Sequence, residues 1–169
     1  TLKKISESSL VGAISLIKGV PCESVRASSD LTTISLSDRQ FINLYNKDEK
    51  LKSFFNSQNY PSEIFEFSKY LLNTIPNSKL KVFDLFKLIE NKLKIFRDNP
   101  EEIKSFFEGK KYIIFIAYAI KGESVFRKLD SFNDISDLEI EISLLKGFFV
   151  MENELLKNIF ENDISKNNN

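Results

Sequence analysis

The chain of 169 residues contains no histidine, no tryptophan and a single cysteine, Cys22. Without histidine, this chain can form neither a His-dependent serine or cysteine triad nor a His-ligated zinc site. A single cysteine excludes an intrachain disulfide, and the Cys22 thiol has no basic neighbour before Arg26 to activate it. We therefore predict no catalytic residue, no metal ligand and no cofactor, and an inert thiol at Cys22.

Glycine and proline are also scarce, with five and four residues. So few turn formers argue against a β-sandwich. The glycines are also scattered, so the chain has no GxGxxG or GxxxxGK[ST] loop whose backbone amides could hold nucleotide phosphates. The best apolar run, Tyr112–Ile120, has nine residues, whereas a membrane-spanning helix needs about 20. With the lone cysteine, this favours a cytoplasmic protein, or a secreted effector that acts inside a host cell. The abundance of lysine, asparagine, isoleucine and phenylalanine indicates an AT-rich coding genome.

What the chain has in abundance is apolar periodicity of the helical kind, accompanied by helix-start and helix-stop signals. Leu2–Lys18 is followed by Gly19 and Pro21, which is a typical helix end. The other predicted helices begin at the Ser37 capping box, at Pro61, at about Lys79 (to Arg97), at Asn99–Pro100 and at Ser136 (to about Asn162).

We therefore predict an all-α protein, a compact array of about six to eight helices in a single domain over residues 1–164. Within that domain, residues 22–36 are predicted to form a long polar loop, and residues 165–169 to be a disordered tail. The segment Lys110–Lys121 is apolar on every side at its centre, so it is either a buried helix or a central strand. We favour the helix because its predicted neighbours are helical.

Three five-residue segments resemble one another, each with an aliphatic residue, a lysine and two phenylalanines. They are separated by 52 and 42 residues, and periods of about 40–47 residues are typical of armadillo and HEAT repeats. The alternative is that a chain rich in phenylalanine and lysine produces such matches by chance. The hypothesis is an irregular helical repeat built on Leu51–Phe55, Ile103–Phe107 and Leu145–Phe149.

Charge is balanced overall but not along the chain. Lysine plus arginine and aspartate plus glutamate number 24 each. Residues 79–128 carry twelve basic and seven acidic side chains, whereas residues 129–169 carry three basic and nine acidic ones. The predicted binding residues form a basic strip along one helix and into the next, and the alternative is an ordinary solvated face. The strip consists of Lys81, Lys87, Lys94, Arg97 and Lys104.

The charge pattern favours a non-enzymatic protein–protein interaction module that binds an acidic partner surface or peptide. Nucleic acid is disfavoured because the acidic C-terminal segment would repel a polyanion. One alternative is a pathogen effector, or an antitoxin-like or immunity-like inhibitor. Another is a carboxylate-based metal-dependent hydrolase, for which Asp84 or Asp98 with Glu102 and Lys104 offers a D…ExK spacing. The sequence predicts no oligomeric state.

Lys79–Leu88 resembles the helix of PUL domains that reads hydrophobic-Asp-hydrophobic-hydrophobic-basic-Leu. PUL domains are armadillo-type domains of ubiquitin-pathway adaptors related to phospholipase-A2-activating protein. Ser143–Leu156 is similar to a following repeat, and Leu36–Leu44 to a preceding one. The resemblance implies an armadillo-like helical fold with a basic concave groove that takes the acidic C-terminal tail of an AAA ATPase.

Overall fold

The structure is a computed structural model that describes residues 4–7, 9–19, 21, 24–75, 78–97, 99–121, 123–136, 138 and 144–165. Cys22 and residues 166–169 of the predicted tail lie outside the described residues. The chain divides into two compact units, unit 1 over Thr1–Ser62 and unit 2 over Glu63–Asn169. The expectation of one domain over residues 1–164 stays a prediction.

The described residues of unit 1 form the helices α1 (Ala13–Lys18), α2 (Asp38–Lys47) and α3 (Glu49–Asn56). The predicted capping box of α2 is confirmed: the Ser37 hydroxyl accepts the Gln40 backbone N–H, and the Gln40 side chain accepts the Ser37 backbone N–H. The prediction of a helix over Leu2–Lys18 is wrong in its first half. Within the described part of that segment only α1 is helical, and Gly12 precedes it with a φ of 84°.

The core of unit 1 is a small apolar cluster between its helices. The Phe41 and Phe55 rings meet edge to face at 5.4 Å, and both side chains are buried with Ala13. Residues 24–36, predicted as a loop, contain neither helix nor strand and are exposed throughout. This segment holds four exposed aliphatic side chains, Val25, Leu31, Ile34 and Leu36.

The described residues of unit 2 include a four-stranded antiparallel sheet, so the all-α prediction is wrong. In chain order, the elements are α4 (Pro61–Asn73, whose first two residues belong to unit 1), α5 (Val82–Ile89), β1 (Lys94–Phe96), η1 (Pro100–Lys110), β2 (Tyr112–Ile120), β3 (Glu123–Leu129), η2 (Phe132–Ile135), β4 (Leu145–Glu152) and α6 (Asn153–Ser165). The strand order in the sheet is β1-β4-β2-β3. The 3-10 segments η1 and η2 lie between strands, and η1 is interrupted by non-helical backbone at Glu108 and Gly109.

The prediction of a helix over Lys110–Lys121 is wrong, because this segment contains strand β2. β2 pairs with β4 on one side and with β3 on the other. Its four central residues, Ile114–Ala117, are all buried, since elements cover both faces of the sheet. A strand covered on both faces shows no alternation of apolar and polar residues, and its sequence therefore resembles a buried helix.

Two further predicted helices are partly strands. The predicted helix Lys79–Arg97 begins at Val82 and ends at Ile89, after which residues 94–96 form β1. The predicted helix from Ser136 to Asn162 is replaced by β4, and only residues from Asn153 onward are helical. Of its predicted start, residues 137 and 139–143 lie outside the described residues.

The predicted helical repeat is also wrong. Leu51–Phe55 lies in α3, Ile103–Phe107 in the 3-10 segment η1, and Leu145–Phe149 in strand β4. Three different types of structure cannot be copies of one helical unit. This finding also overturns the armadillo-like architecture that the PUL resemblance implied.

Each face of the sheet buries its own apolar cluster. On the α4 face, Phe67 of α4 is fully buried, and its ring lies 5.1 Å from Phe115 and 5.0 Å from Phe149. On the η1 face, Ile103 of η1 packs with side chains of β2, β3 and β4. The η1-face residues of these strands are Ile114, Ile116, Leu129, Phe148 and Val150. Among the described residues, no helix has the length and apolar character needed to span a membrane.

Candidate functional site

The structure does not gather the five predicted residues of the basic strip into one strip. Lys81 directly precedes α5, and Lys87 lies on α5, whose Phe86 contacts Phe65 of α4. The Lys87 ammonium lies 3.1 Å from a carboxylate oxygen of Glu90. It also lies 5.0 Å from the centre of the Phe86 ring.

Arg97 follows β1, but its side chain is only 12% exposed. Its guanidinium donates a hydrogen bond of 2.5 Å to the carboxylate of Glu63, which is 4% exposed and lies in the first turn of α4. A charged pair with so little exposure contributes to the packing of α4 on unit 2, because removing either partner leaves a buried charge. Arg97 is therefore not placed as an exposed binding residue.

Lys94 and Lys104 lie together around η1. Lys94 extends from β1 with its ammonium 5.4 Å from the Phe106 ring, and Lys104 extends from η1 with its ammonium 5.4 Å from the Phe132 ring. The ammonium of a third lysine, Lys111, lies 5.4 Å from the centre of the Tyr112 ring. We call the group the η1 surface and define it as Lys94, Lys104, Lys111, Phe106, Tyr112 and Phe132.

The aromatic rings of the η1 surface are half-buried and contact further rings below. Phe106 meets Tyr112 at 4.9 Å and Phe96 at 5.4 Å, while Phe132 meets Phe107 at 6.1 Å. All of these side chains pack against the apolar cluster of the η1 face. Their inner edges therefore belong to the core, and their outer edges stay in contact with solvent.

Two lysines of the η1 surface have acidic neighbours. Lys104 pairs with Glu101 at 3.7 Å, and Lys111 pairs with Glu152 at 3.6 Å. The pKa of Lys111 lies above its ordinary value because its ammonium interacts first with Tyr112 and then with Glu152. In the described part of the chain, no carboxylate forms an ion pair with Lys94.

The sequence predicted the exposure of Lys94 and Lys104 but missed the aromatic half of the η1 surface. Phenylalanine at an apolar position is expected in the core, and here that is true only of the inner ring edges. Gly109, with a φ of 72°, ends the helical part of η1. The signal that could have identified this surface is therefore the pair Phe106–Phe107 just before that glycine, on a segment too short to bury both rings.

A second polar group lies on the α4 face, and it links three elements. The Lys146 ammonium of β4 donates to the Ser124 hydroxyl of β3 at 2.5 Å, and that hydroxyl donates to the Glu66 carboxylate of α4. β2 lies between β3 and β4, so the lysine side chain crosses it. Ala119, which is the β2 partner of Ser124, has the small side chain that leaves room for this crossing.

A β-bulge brings Lys146 to that face. Ala117 pairs with Gly147 and the next β2 residue, Tyr118, pairs with Leu145, so Lys146 is an additional residue without a β2 partner. A bulge changes the direction of one side chain without changing the faces of its neighbours. Leu145 stays on the η1 face, and Lys146 points to the α4 face with Ser124.

The residues of the alternative hydrolase do not form a site among the described residues. Asp84 lies on α5 and Glu102 on η1, both with exposed side chains, while Asp98 lies outside the described residues. Across the described residues, no group of three or more Asp, Glu, Cys or His side chains could hold a metal ion. The D…ExK spacing therefore does not correspond to a cluster here.

Comparisons with known proteins give no match: no family model, no curated protein and no solved structure matches this chain. The resemblance of Lys79–Leu88 to PUL domains stays a prediction.

Proposed function

We propose that this protein is an interaction module that binds an acidic surface or peptide of a partner protein through the η1 surface. The observation that supports this proposal is the arrangement of lysine ammonium groups over half-buried aromatic rings, at 5.4 Å in all three cases. Aromatic side chains are enriched in protein interfaces and contribute much of their binding energy. A carboxylate of the partner supplies the charge that the lysines recognise.

The existing ion pairs on the η1 surface are weak enough to be exchanged. The side chains of Lys104 and Glu101 are 65% and 66% exposed, and ion pairs with such exposure contribute about 0–1 kcal/mol. When an apolar part of the partner covers the Phe132 ring, water is excluded from the Lys104 ammonium. The attraction between this ammonium and a partner carboxylate then becomes stronger. Binding therefore needs both an acidic group and an apolar surface on the partner.

Single-stranded nucleic acid would also use lysine and aromatic side chains, but the charges around this surface disfavour it. Exposed carboxylates are interspersed with the lysines at Glu101, Glu102, Glu108 and Glu152. A phosphate backbone that follows the lysines would approach these carboxylates at several points. A protein partner, by contrast, can have acidic groups opposite the lysines and none opposite the carboxylates.

The experiment is site-specific photo-cross-linking, with a photoreactive amino acid at Ser105, an exposed residue of η1. We expect a cross-linked partner from this position and none from Asp84, an exposed residue of α5 in the same unit used as the control. Equal cross-linking from both positions would contradict the proposal.

Charge reversal then tests the recognition step with the captured partner. Lys94→Glu with Lys104→Glu is expected to weaken binding at least about tenfold, because both reversals repel an acidic surface. The matched control reverses Lys81 and Lys87, which carry the same charge but lie at α5. If the α5 reversals weaken binding as much as the η1 reversals, the η1 surface is not the binding site.

A further inference from the structure

Strand β3 is an edge of the sheet. It pairs with β2 over seven residue pairs, and among the described residues no other strand pairs with its second side. Glu123, Arg127 and Lys128 of this strand have exposed side chains. An unpaired edge offers backbone N–H and C=O groups to another strand.

The hairpin geometry shows which backbone groups of β3 are free to pair. Ile120 and Glu123 flank a two-residue connection, and the residues that close such a hairpin form a hydrogen-bonded pair. Because bonding alternates along an antiparallel strand, the backbone groups of Glu123, Val125 and Arg127 point towards β2. Those of Ser124 and Phe126 point away from it.

We propose that β3 pairs antiparallel with β3 of a second copy of this chain, about a twofold axis at Val125. In this register Val125 lies opposite its own copy, and the backbone groups of Ser124 bond those of Phe126 of the second copy. Glu123 lies opposite Arg127 of the second copy, and the symmetry repeats this pair. All of the charged side chains involved are on one face, because residues two or four apart on a strand share a face.

Charge complementarity selects this register over its neighbours. Centring the axis on Phe126 would place Arg127 opposite Val125, with no ion pair. Centring it on Arg127 would place two arginines opposite each other, which is destabilising. Only the Val125 register pairs opposite charges at both ends.

The size of the interface sets the expected affinity. Five paired residues on each strand bury much less than the roughly 800 Å² per partner of a stable complex. The dimer is therefore expected to form in a concentration-dependent way and to dissociate on dilution. The β1 edge, with three residues, is too short to compete.

Analytical ultracentrifugation of the full chain over a concentration series measures the association. Glu123→Arg and Arg127→Glu are each expected to weaken it about tenfold or more, because each converts two attractive cross-strand pairs into repulsive ones. An equimolar mixture of the two variants is expected to recover association, because basic side chains at positions 123 and 127 of one variant then lie opposite acidic side chains at positions 127 and 123 of the other. Lys128→Glu is the matched control, since Lys128 has no charged partner in this register.

Disulfide cross-linking tests the position of the axis. In a Cys22→Ser background, Val125→Cys is expected to form a covalent dimer, because opposed residues lie about 4.5–5.5 Å apart, within the range of a disulfide. Glu123→Cys is the control, because the twofold axis separates its two copies by several residues. A protein that stays monomeric up to millimolar concentration, charge variants that associate like the wild type, or equal cross-linking at both positions would each overturn the proposal.

Discussion

Gly147 packs closely against the backbone at the end of β1, and its substitution by alanine gives a quantitative test. Gly147 has a φ of 142°, a conformation that side-chain-bearing residues rarely adopt. A Cβ atom added there would lie 2.8 Å from the carbonyl oxygen of Phe96. That oxygen belongs to the backbone of β1, so it cannot move as a flexible side chain would.

Two costs contribute to the loss of stability in Gly147→Ala. Holding alanine at this φ costs about 1–3 kcal/mol, and relieving the clash with the Phe96 carbonyl costs about 1–3 kcal/mol more. We therefore expect the free energy of unfolding to fall by about 2–6 kcal/mol. With a urea dependence of about 2 kcal/mol per molar, the urea midpoint falls by about 1–3 M.

Gly109→Ala is the matched control for this measurement. Gly109 also has a positive φ, of 72°, but an added Cβ would meet no atom within 4 Å. The control therefore loses only the backbone contribution, about 1–2 kcal/mol. The assay is urea unfolding followed by far-ultraviolet circular dichroism, with amide hydrogen exchange of residues 148–151 to monitor β4. Equal midpoints for the two variants would show that the Phe96 carbonyl does not constrain Gly147, and the reasoning would be refuted.

Three other predictions concern stability and pH. Glu63→Ala should lower the free energy of unfolding by about 3–5 kcal/mol because it removes the buried carboxylate that neutralises the Arg97 guanidinium. Glu90→Ala, at the more exposed pair with Lys87, should cost under about 1 kcal/mol; equal urea midpoints would contradict this. Phe149→Ala should cost about 3–5 kcal/mol, and an unchanged midpoint would show that its ring is not in the core. The pKa of Asp134 is lowered, first by the Ser131 hydroxyl and then by the backbone N–H groups of Ser131 and Asp130. The ionised Asp134 carboxylate therefore stabilises the fold at pH values above its unfolded-state pKa, and this stabilisation is lost as the pH falls through its lowered folded-state pKa. In Ser131→Ala, a carboxyl titration followed by NMR should show a higher pKa of Asp134 than in the wild type. An unchanged pKa would exclude the Ser131 hydroxyl as the main cause.

Local signals in the sequence predicted local structure well. The start of α2 follows from the Ser37–Gln40 capping box, because both of its hydrogen bonds lie within one turn. Phe86 and Phe149 are buried, as their apolar periodicity predicts. For Phe149 the burial is correct although the element is a strand, because burial depends on an apolar side chain and not on the period that revealed it.

The sheet could not be predicted from the same signals. Both faces of β4 are covered, so its consecutive residues Phe148, Phe149 and Val150 are all buried. The alternation of polar and apolar residues that identifies a strand is therefore missing. The partners of β4 are also distant in sequence, since β1 lies more than 50 residues before the residues with which it pairs. A periodicity argument considers only nearby residues, and it therefore assigned Leu145 and Phe149 to a helical stripe.

In the candidate site, too, local signals predicted some features, whereas others depend on residues distant in the sequence. The exposure of Lys94 and Lys104 follows from residue type, and the structure places both at η1. The position of Arg97 depends on Glu63, which is 34 residues away in the sequence. No local pattern indicates that an arginine on a polar stripe will find a buried carboxylate at such a separation.

The bulge at Lys146 has a consequence for how strand β4 tolerates changes in length. Deleting one residue from a regular strand reverses the faces of every residue on one side of the deletion. Deleting Lys146 would not, because Gly147 and Leu145 already pair with the consecutive residues Ala117 and Tyr118. The shortened strand would keep each apolar side chain on its own face and lose only the lysine and its bond to Ser124. At this position, the chain has one residue more than its sheet requires, so a side chain can be gained or removed here while the faces of the sheet stay unchanged.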